Sequence, residues 1–217
     1  MVKILHIDTS PRGERSHSRT LTNDFVANWK NSHLDSTITY RDIGHQIIPP
    51  VSETWIAAAF SPPNTHTPEL TAALQISDEL IDELVECVDP SGLVVRHRYI
   101  FSVPMYNFGI PANFKAYIDQ VCRVGCTFVV NQQGGYDGLL TGKKMLVITA
   151  RGGSFPAGTP AANFDFQEPY IRTVFGLMGV TEINFVNAEN LAMKGDVREQ
   201  SLQSAKIQLT QLITDWN

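Results

Sequence analysis

What the chain lacks narrows its function before any motif is read. It has no basic excess: 17 lysines and arginines against 22 aspartates and glutamates leave a formal charge of -5 over 217 residues. Affinity for nucleic acid or an anionic membrane needs a basic face, so neither is expected as a partner, and any phosphate must be held locally. No apolar run approaches the roughly 20 residues of a membrane span. The opening "MVKILHIDTS" is interrupted by Asp8 too early to serve as the apolar segment of a signal peptide. Cysteines number three, an odd count that suits a reducing cytoplasm better than a disulfide framework. The histidines are scattered without HExxH-like spacing, and Cys122 and Cys126, four apart, read as buried structural thiols. No metal is expected.

The familiar nucleotide motifs are missing too. "GLLTGKK" (138–144) has three residues between its glycines where a Walker loop has four, and Lys144 stands where a serine or threonine must ligate magnesium. No GxGxxG follows any strand, which argues against a tightly held dinucleotide on a Rossmann loop.

What is present is an alternation of strand-like and helix-like segments. "VKILHID" (2–8), "STITYRDI" (36–43), "RYIFSVP" (98–104), "KKMLVITA" (143–150) and "TEINFVNA" (181–188) read as strands. Helical spacing fills the intervals, and "TFVVNQQGGYDGLL" reads as a small hairpin around Gly134 and Gly135. Strands separated by helices imply an α/β domain with a central parallel sheet, because parallel neighbours need crossovers. No repeat or composition break marks a second domain, so residues 1–217 are expected to form one.

Ligands of such sheets gather beyond the carboxyl ends of the strands, and three unusual loops leave there. The first, 9–18, sets Thr9, Ser10, Ser16 and Ser18 around Arg12, Arg15 and His17 at the start of a helix. A phosphate is well placed at such a terminus, although Ser16 or Ser18 as a plain helix cap explains the stretch equally well. The second, "PMYNFGIP" (104–111), places flat apolar side chains and an amide between two prolines. In the third, "ARGGS" (150–154), paired glycines leave backbone amides open to a ligand. Together they suit a planar heteroaromatic ring.

"DTSPRGERSHS", "PMYNFGIPANFKAYID", "GCTF", "LLTGKK" and "ITARGG", in this order, resemble the FMN-dependent NADH azoreductases, flavodoxin-like relatives of the NAD(P)H:quinone reductases, over essentially the whole chain. The resemblance implies a five-stranded parallel sheet of order 2-1-3-4-5 with helices on both faces and a hairpin insertion. Ser10, Ser16, His17 and Ser18 would hold the FMN phosphate. Met105, Tyr106, Asn107 and Phe108 would border the flavin ring, and Ala150, Arg151, Gly152 and Gly153 would form the opposite lip. The chain offers no acid–base pair or nucleophile of its own, consistent with a cofactor carrying the reaction. The implied cycle is ping-pong: NADH or NADPH gives a hydride to the flavin and leaves, and a quinone or azo compound takes the same place. Asn107 would assist near N5 or O4, and the Gly152 and Gly153 amides near N1 and O2.

The resemblance further implies a homodimer with the active site at the subunit junction, where Phe60, Phe128, Phe164, Phe166 and Phe175 are candidates for the substrate slot. Ala150 stands where relatives can carry serine, Val130 where some carry tyrosine, and "CVDPSGLVVRHR" (87–98) is longer than the usual link. A flavodoxin-type electron carrier, an FAD-dependent quinone reductase and a non-catalytic nucleotide-binding module are the competing readings.

Overall fold

The computed structural model describes residues 2–85 and 96–216. Most of the segment expected to form a lengthened link at 87–98 lies outside them. The sheet strands are β1 (Val2–Asp8), β2 (Thr37–Asp42), β3 (Arg96–Pro104), β6 (Lys144–Ala150) and β7 (Glu182–Ala188). They pair in parallel in the order β2-β1-β3-β6-β7. Counting sheet strands alone, this is the expected 2-1-3-4-5. The remaining strands, β4 (Phe128–Val130) and β5 (Tyr136–Gly138), form the expected antiparallel hairpin. Asn131 closes its turn by accepting N–H bonds from Gln133 and Gly135 through Oδ1.

The helices are α1 (His17–Ser32), α2 (Glu53–Ala59), α3 (Pro68–Val85), α4 (Ala112–Val121), α5 (Glu168–Leu177) and α6 (Asp196–Asp215). None among the described residues is long and apolar enough to cross a membrane. Their caps are local: Ser52 accepts from Trp55 N–H at the start of α2, and Asp165 accepts from the Gln167 and Glu168 N–H groups before α5. Pro111 occupies the position just before α4.

The two faces of the sheet divide the core by strand alternation. Leu5, Ile7, Tyr99, Phe101, Val103, Met145 and Val147 pack on one side against α3, α4 and α5. Ile4, Ile100, Leu146, Ile148 and Val186 pack on the other against α1 and α6, where Phe25, Trp29 and Trp216 form an aromatic cluster. Apolar residues on both faces are what a central parallel strand requires. Phe175, a candidate for the substrate slot, is instead core: it lies edge-on to Phe101 at 5.4 Å and stacks on Phe114. Its place on the inner stripe of α5 settles this, since Ile171 four residues earlier is buried with it.

The register decides where the loops meet. Asp8 pairs with both Asp42 and Ser102, Pro104 with Ala150, and Ala150 with Ala188. The loops after all five strands therefore leave from one edge, and the chain reverses its direction of travel across the sheet between β1 and β3.

Candidate active site

The loop after β1 ends in a hydroxyl cluster. Ser16 caps α1, its Oγ accepting from Arg19 N–H at 3.4 Å, and lies 3.2 Å from Ser18 Oγ. Ser18 is fully buried and also receives a bond from Ser102 Oγ on β3 at 3.1 Å. Ser18 thus holds Ser16 in place from beneath. His17 and Ser18 open the helix, so their backbone N–H groups have no carbonyl within it. The Ser16 helix cap, one of the two alternatives on sequence alone, is present, with the Ser18 hydroxyl beside it. Burial first, and then the Arg12 and Arg198 charges, hold His17 below the ordinary imidazole value against the opposing pull of Glu199.

This loop is braced by a charged network with no sequence motif. Arg19, on the first turn of α1, is buried; its Nε donates to the Ser10 carbonyl at 2.8 Å while its Nη atoms reach Asp8, Asp42 and Tyr40. Burial opposes the Arg19 charge, yet these partners raise its pKa on balance. Asn113, at the start of α4, donates to the carbonyls of Thr9 (2.9 Å) and Ile43 (2.7 Å), tying the loops after β1 and β2 together. Burial would raise the Asp42 carboxyl, but Arg19 and His45 outweigh it and bring its pKa down to about 2.

A folded pKa below the unfolded 3.8 contributes stability that is complete above that value and lost as pH falls through about 2. The contribution is about 2 kcal/mol. Urea midpoints at pH 5 and pH 2 are expected to show a shallower acid dependence in Asp42→Asn than in the wild type; equal slopes would remove the network from the acid response.

The loop after β3 is a strained two-residue turn. Tyr106 and Gly109 exchange backbone bonds at 3.1 and 3.0 Å, and the residues between them, Asn107 (φ 48°) and Phe108 (φ 69°), are both left-handed. Asparagine tolerates that region, whereas phenylalanine is disfavoured there by of order 1 kcal/mol or more. Such strain at a solvent-exposed tip signals a constraint from function. The turn is held from outside: Met105 N–H donates to the Ala150 carbonyl, and Phe166 N–H to that of Phe108. The Phe108 ring contacts Phe155 and Phe164 at centroid distances of 6.1 and 5.4 Å.

Asn107→Gly keeps this turn and removes the amide, whereas Asn107→Ala removes the amide and strains the turn. If the amide matters, both variants lose bound ligand alike; if only the backbone matters, Asn107→Ala loses it and Asn107→Gly does not. Equilibrium dialysis with FMN separates the two.

In the loop after β6 the Arg151 side chain is 1% exposed and is held by an acidic cluster. Nε donates to Gln167 Oε1 (3.0 Å), Nη1 to Asp165 Oδ2 (3.0 Å), and Nη1 lies 3.5 Å from Glu189 Oε1. Gln167 in turn donates to the Val103 carbonyl at the end of β3. The carbonyls of Arg151, Gly152 and Gly153 accept from Leu191, Ala192 and Asn190, while the Gly152 and Gly153 N–H groups have no acceptor among the described residues. A Cβ at Gly152 would meet only Ala192 Cβ, at 3.6 Å. The protein itself therefore leaves room for a side chain at that position.

These loops enclose a cavity of about 360 Å³ at the carboxyl edge of the sheet. Of the residues expected in a site, Ser10, Ser16, His17, Met105, Tyr106, Ala150, Arg151 and Gly152 line it; Ser18 lies beneath the floor, and Asn107, Phe108 and Gly153 stand outside the lining. Sequence reasoning missed Leu191, Ala192 and Arg198, which come from the loop after β7 and the first turn of α6. It missed the bracing residues Arg19, Asp42 and Asn113 as well. A larger, more apolar hollow of about 610 Å³ lies between α2, α4 and the hairpin, with Phe60, Phe128, Val130 and Tyr136 among its walls. The smaller cavity is the one that collects the strand-end loops and the unpaired backbone donors.

A doubly wound sheet of this order, with a hydroxyl cluster at a helix start by the switch point and an aromatic turn beside it, defines a protein of the flavodoxin-like class. The family model described as flavodoxin-like fold matches residues 2–213. Within that fold the chain belongs to the FMN-dependent NADH:quinone oxidoreductase family. The member from Nostoc punctiforme is 53% identical over 216 residues, 100% of each chain. The crystal structure of an azoreductase from Bacillus anthracis str. Sterne is similar with a TM-score of 0.87 at 25% identity, covering 99% of this chain and 100% of that one. An FMN-dependent NADH-azoreductase from Bacillus anthracis str. Ames Ancestor, solved in complex with FMN, shares the fold with a TM-score of 0.82 at 22% identity, covering 98% and 100%.

Proposed function

We propose that this protein is an FMN-dependent NAD(P)H oxidoreductase that reduces quinones and aromatic azo compounds by two-electron transfer. The observation that carries the reading is the 360 Å³ cavity, with hydroxyls and helix-start N–H groups at one end and unpaired Gly152 and Gly153 amides beside it. Its residues fit FMN. The Ser10 and Ser16 hydroxyls, with the N–H groups of His17 and Ser18, hold the phosphate. Met105, Tyr106, Asn107 and Phe108 would border the ring, and the backbone of Ala150 to Gly153 would form the opposite lip. The chemistry supplied by bound FMN is acceptance of hydride from a nicotinamide and its delivery, as two electrons, to a quinone or azo acceptor.

The protein's part is binding, orientation and electrostatics. Amide donors at the Gly152–Gly153 lip favour negative charge where it develops, as oxyanion-hole donors do. Donor and acceptor use one slot in turn, so no second dinucleotide motif is required.

The whole chain acts as one flavin-binding unit. It works as a homodimer whose partner subunit completes the substrate slot, which gives a role to the exposed Phe60, Tyr136, Phe164 and Phe166 side chains. The free Cys122 and Cys126 suit the cytoplasm.

The purified protein is expected to be yellow, to release FMN on denaturation, and to oxidise NADH with menadione or methyl red as acceptor. A colourless protein that cannot be reconstituted with FMN contradicts the reading. Gly152→Ala is expected to keep the thermal midpoint within a few degrees, since an added Cβ meets only Ala192 Cβ at 3.6 Å, while the bulkier Gly152→Val lowers flavin affinity at least about tenfold by blocking the lip. Unchanged flavin content and turnover in both Gly152→Val and Asn107→Ala would overturn the placement of the ring.

A further inference from the structure

The phosphate end of the cavity carries charge that the hydroxyl cup does not explain. Its lining includes Arg12, His17 and Arg198 and no carboxylate, in a chain whose formal charge is -5. Five arginines elsewhere are engaged: Arg19 with Asp8 and Asp42, Arg41 with Glu79 and Glu83, Arg123 with Asp78, Arg151 with Asp165, Arg172 with Glu168; Arg15, which has no side-chain partner among the described residues, is exposed and stands outside the cavity lining. Arg12 has no side-chain partner among the described residues. Among the described residues Arg198 reaches only Glu199, its exposed neighbour, at 3.4 Å, and its Nε is shielded from water with no acceptor among them.

The position of Arg198 sharpens the point. It sits in the first turn of α6, a 20-residue helix, where the helix dipole disfavours a cation. Asp196 and Glu199 suit that turn; Arg198 does not. The Arg12 and Arg198 charges, from opposite ends of the sequence, both act on His17, which lies on the floor between the serines. A phosphate monoester carries close to two negative charges at neutral pH, and neutral hydroxyls and amides alone leave that charge unbalanced.

We infer that Arg12 and Arg198 close the phosphate end of the cavity as a cationic pair, and that this pair sets a preference for the phosphorylated flavin, FMN, over riboflavin. This rests on the flavin reading of the cavity and adds two residues to it. Arg198 approaches from the first turn of α6 and Arg12 from the loop after β1, both in the lining of the cavity. Release of their counter-ions and of the weak Glu199 contact makes FMN binding salt-sensitive and leaves riboflavin binding nearly independent of salt.

The test titrates the flavin-free full-length protein with FMN and with riboflavin, following quenching of flavin fluorescence, for wild type, Arg12→Ala, Arg198→Ala, Arg198→Gln and the double alanine variant. Each single alanine variant is expected to weaken FMN about tenfold and to change riboflavin less than about twofold; the double variant loses most of the discrimination. Raising the salt should erode FMN affinity in the wild type and much less in the double variant. An FMN-to-riboflavin ratio that stays within about twofold of wild type in all variants overturns the pair while leaving the flavin site standing. Equal losses for both flavins also overturn it, since that marks a structural role. A wild-type protein that binds neither flavin overturns the flavin reading and the pair with it.

Discussion

Replacing Arg151 with methionine is expected to cost about 3–5 kcal/mol of stability, the usual consequence of removing one member of a buried charge cluster. For a chain of 217 residues that corresponds to a fall in Tm of roughly 6–20 °C. Methionine matches much of the volume, so the loss reports on charge and hydrogen bonding more than on a cavity. Arg151 faces Asp165, Glu168 and Glu189 at 3.0, 3.7 and 3.5 Å, and these would be left without their cation.

The damage should also reach the site. Arg151 fixes Gln167 and Asp165, and the adjacent Phe166 N–H holds the carbonyl of left-handed Phe108. Arg151→Lys is expected to rescue only partly, because one ammonium cannot reproduce a fork that serves Gln167 through Nε and Asp165 through Nη1. Thermal melts of the three proteins, with flavin content measured on each, check this. A methionine variant that melts within 2 °C or so of wild type would show that the cluster adds little.

The second large effect is expected at Gly44, in the loop after β2. An added Cβ there would stand 2.3 Å from the Ser10 carbonyl oxygen and 2.5 Å from Arg19 Nη2. Backbone must move, and the atom it displaces is the carbonyl that Arg19 Nε holds at 2.8 Å. Gly44→Ala should therefore destabilise by about 2–4 kcal/mol and lower FMN affinity more than riboflavin affinity, since Ser10 belongs to the phosphate cup. Gly176→Ala is the control: its Cβ would meet nothing within 4 Å on helix α5, so a small gain is expected. Urea denaturation and flavin titration of both variants decide the matter. A Gly44→Ala protein as stable and as flavin-competent as the control would mean that the two loops are free to separate.

Legibility in the sequence followed physical locality. The boundaries of β1 at Val2 and Asp8 coincide with the segment that places Val2, Ile4, Leu5 and Ile7 on both faces, the pattern of a strand covered on both sides. The loops 9–18, 104–111 and 150–154 were visible as hydroxyl-rich, proline-bounded and glycine-paired stretches at the ends of strands. Phe175 could not be told from the exposed phenylalanines, since burial depends on which stripe of α5 meets the sheet. The burial of the Arg151 side chain gave no local signal, because its acidic partners lie 14 or more residues downstream. Arg198 gave no signal at all, being one arginine in a polar closing helix.

The sequence by itself determined the alternation of strands and helices, the hydroxyl-rich loop, and the aromatic turn between two prolines, since each rests on periodicity or local backbone chemistry. Only the tertiary structure decided which of these features meet. Parallel register placed Asp8, Asp42, Ser102, Pro104, Ala150 and Ala188 along one edge of the sheet, and packing turned Arg151 inward. Residues nearly two hundred positions apart, Arg12 and Arg198, came to line one cavity. Such contacts depend on how strands order themselves across a sheet, and no local pattern in the chain encodes that order.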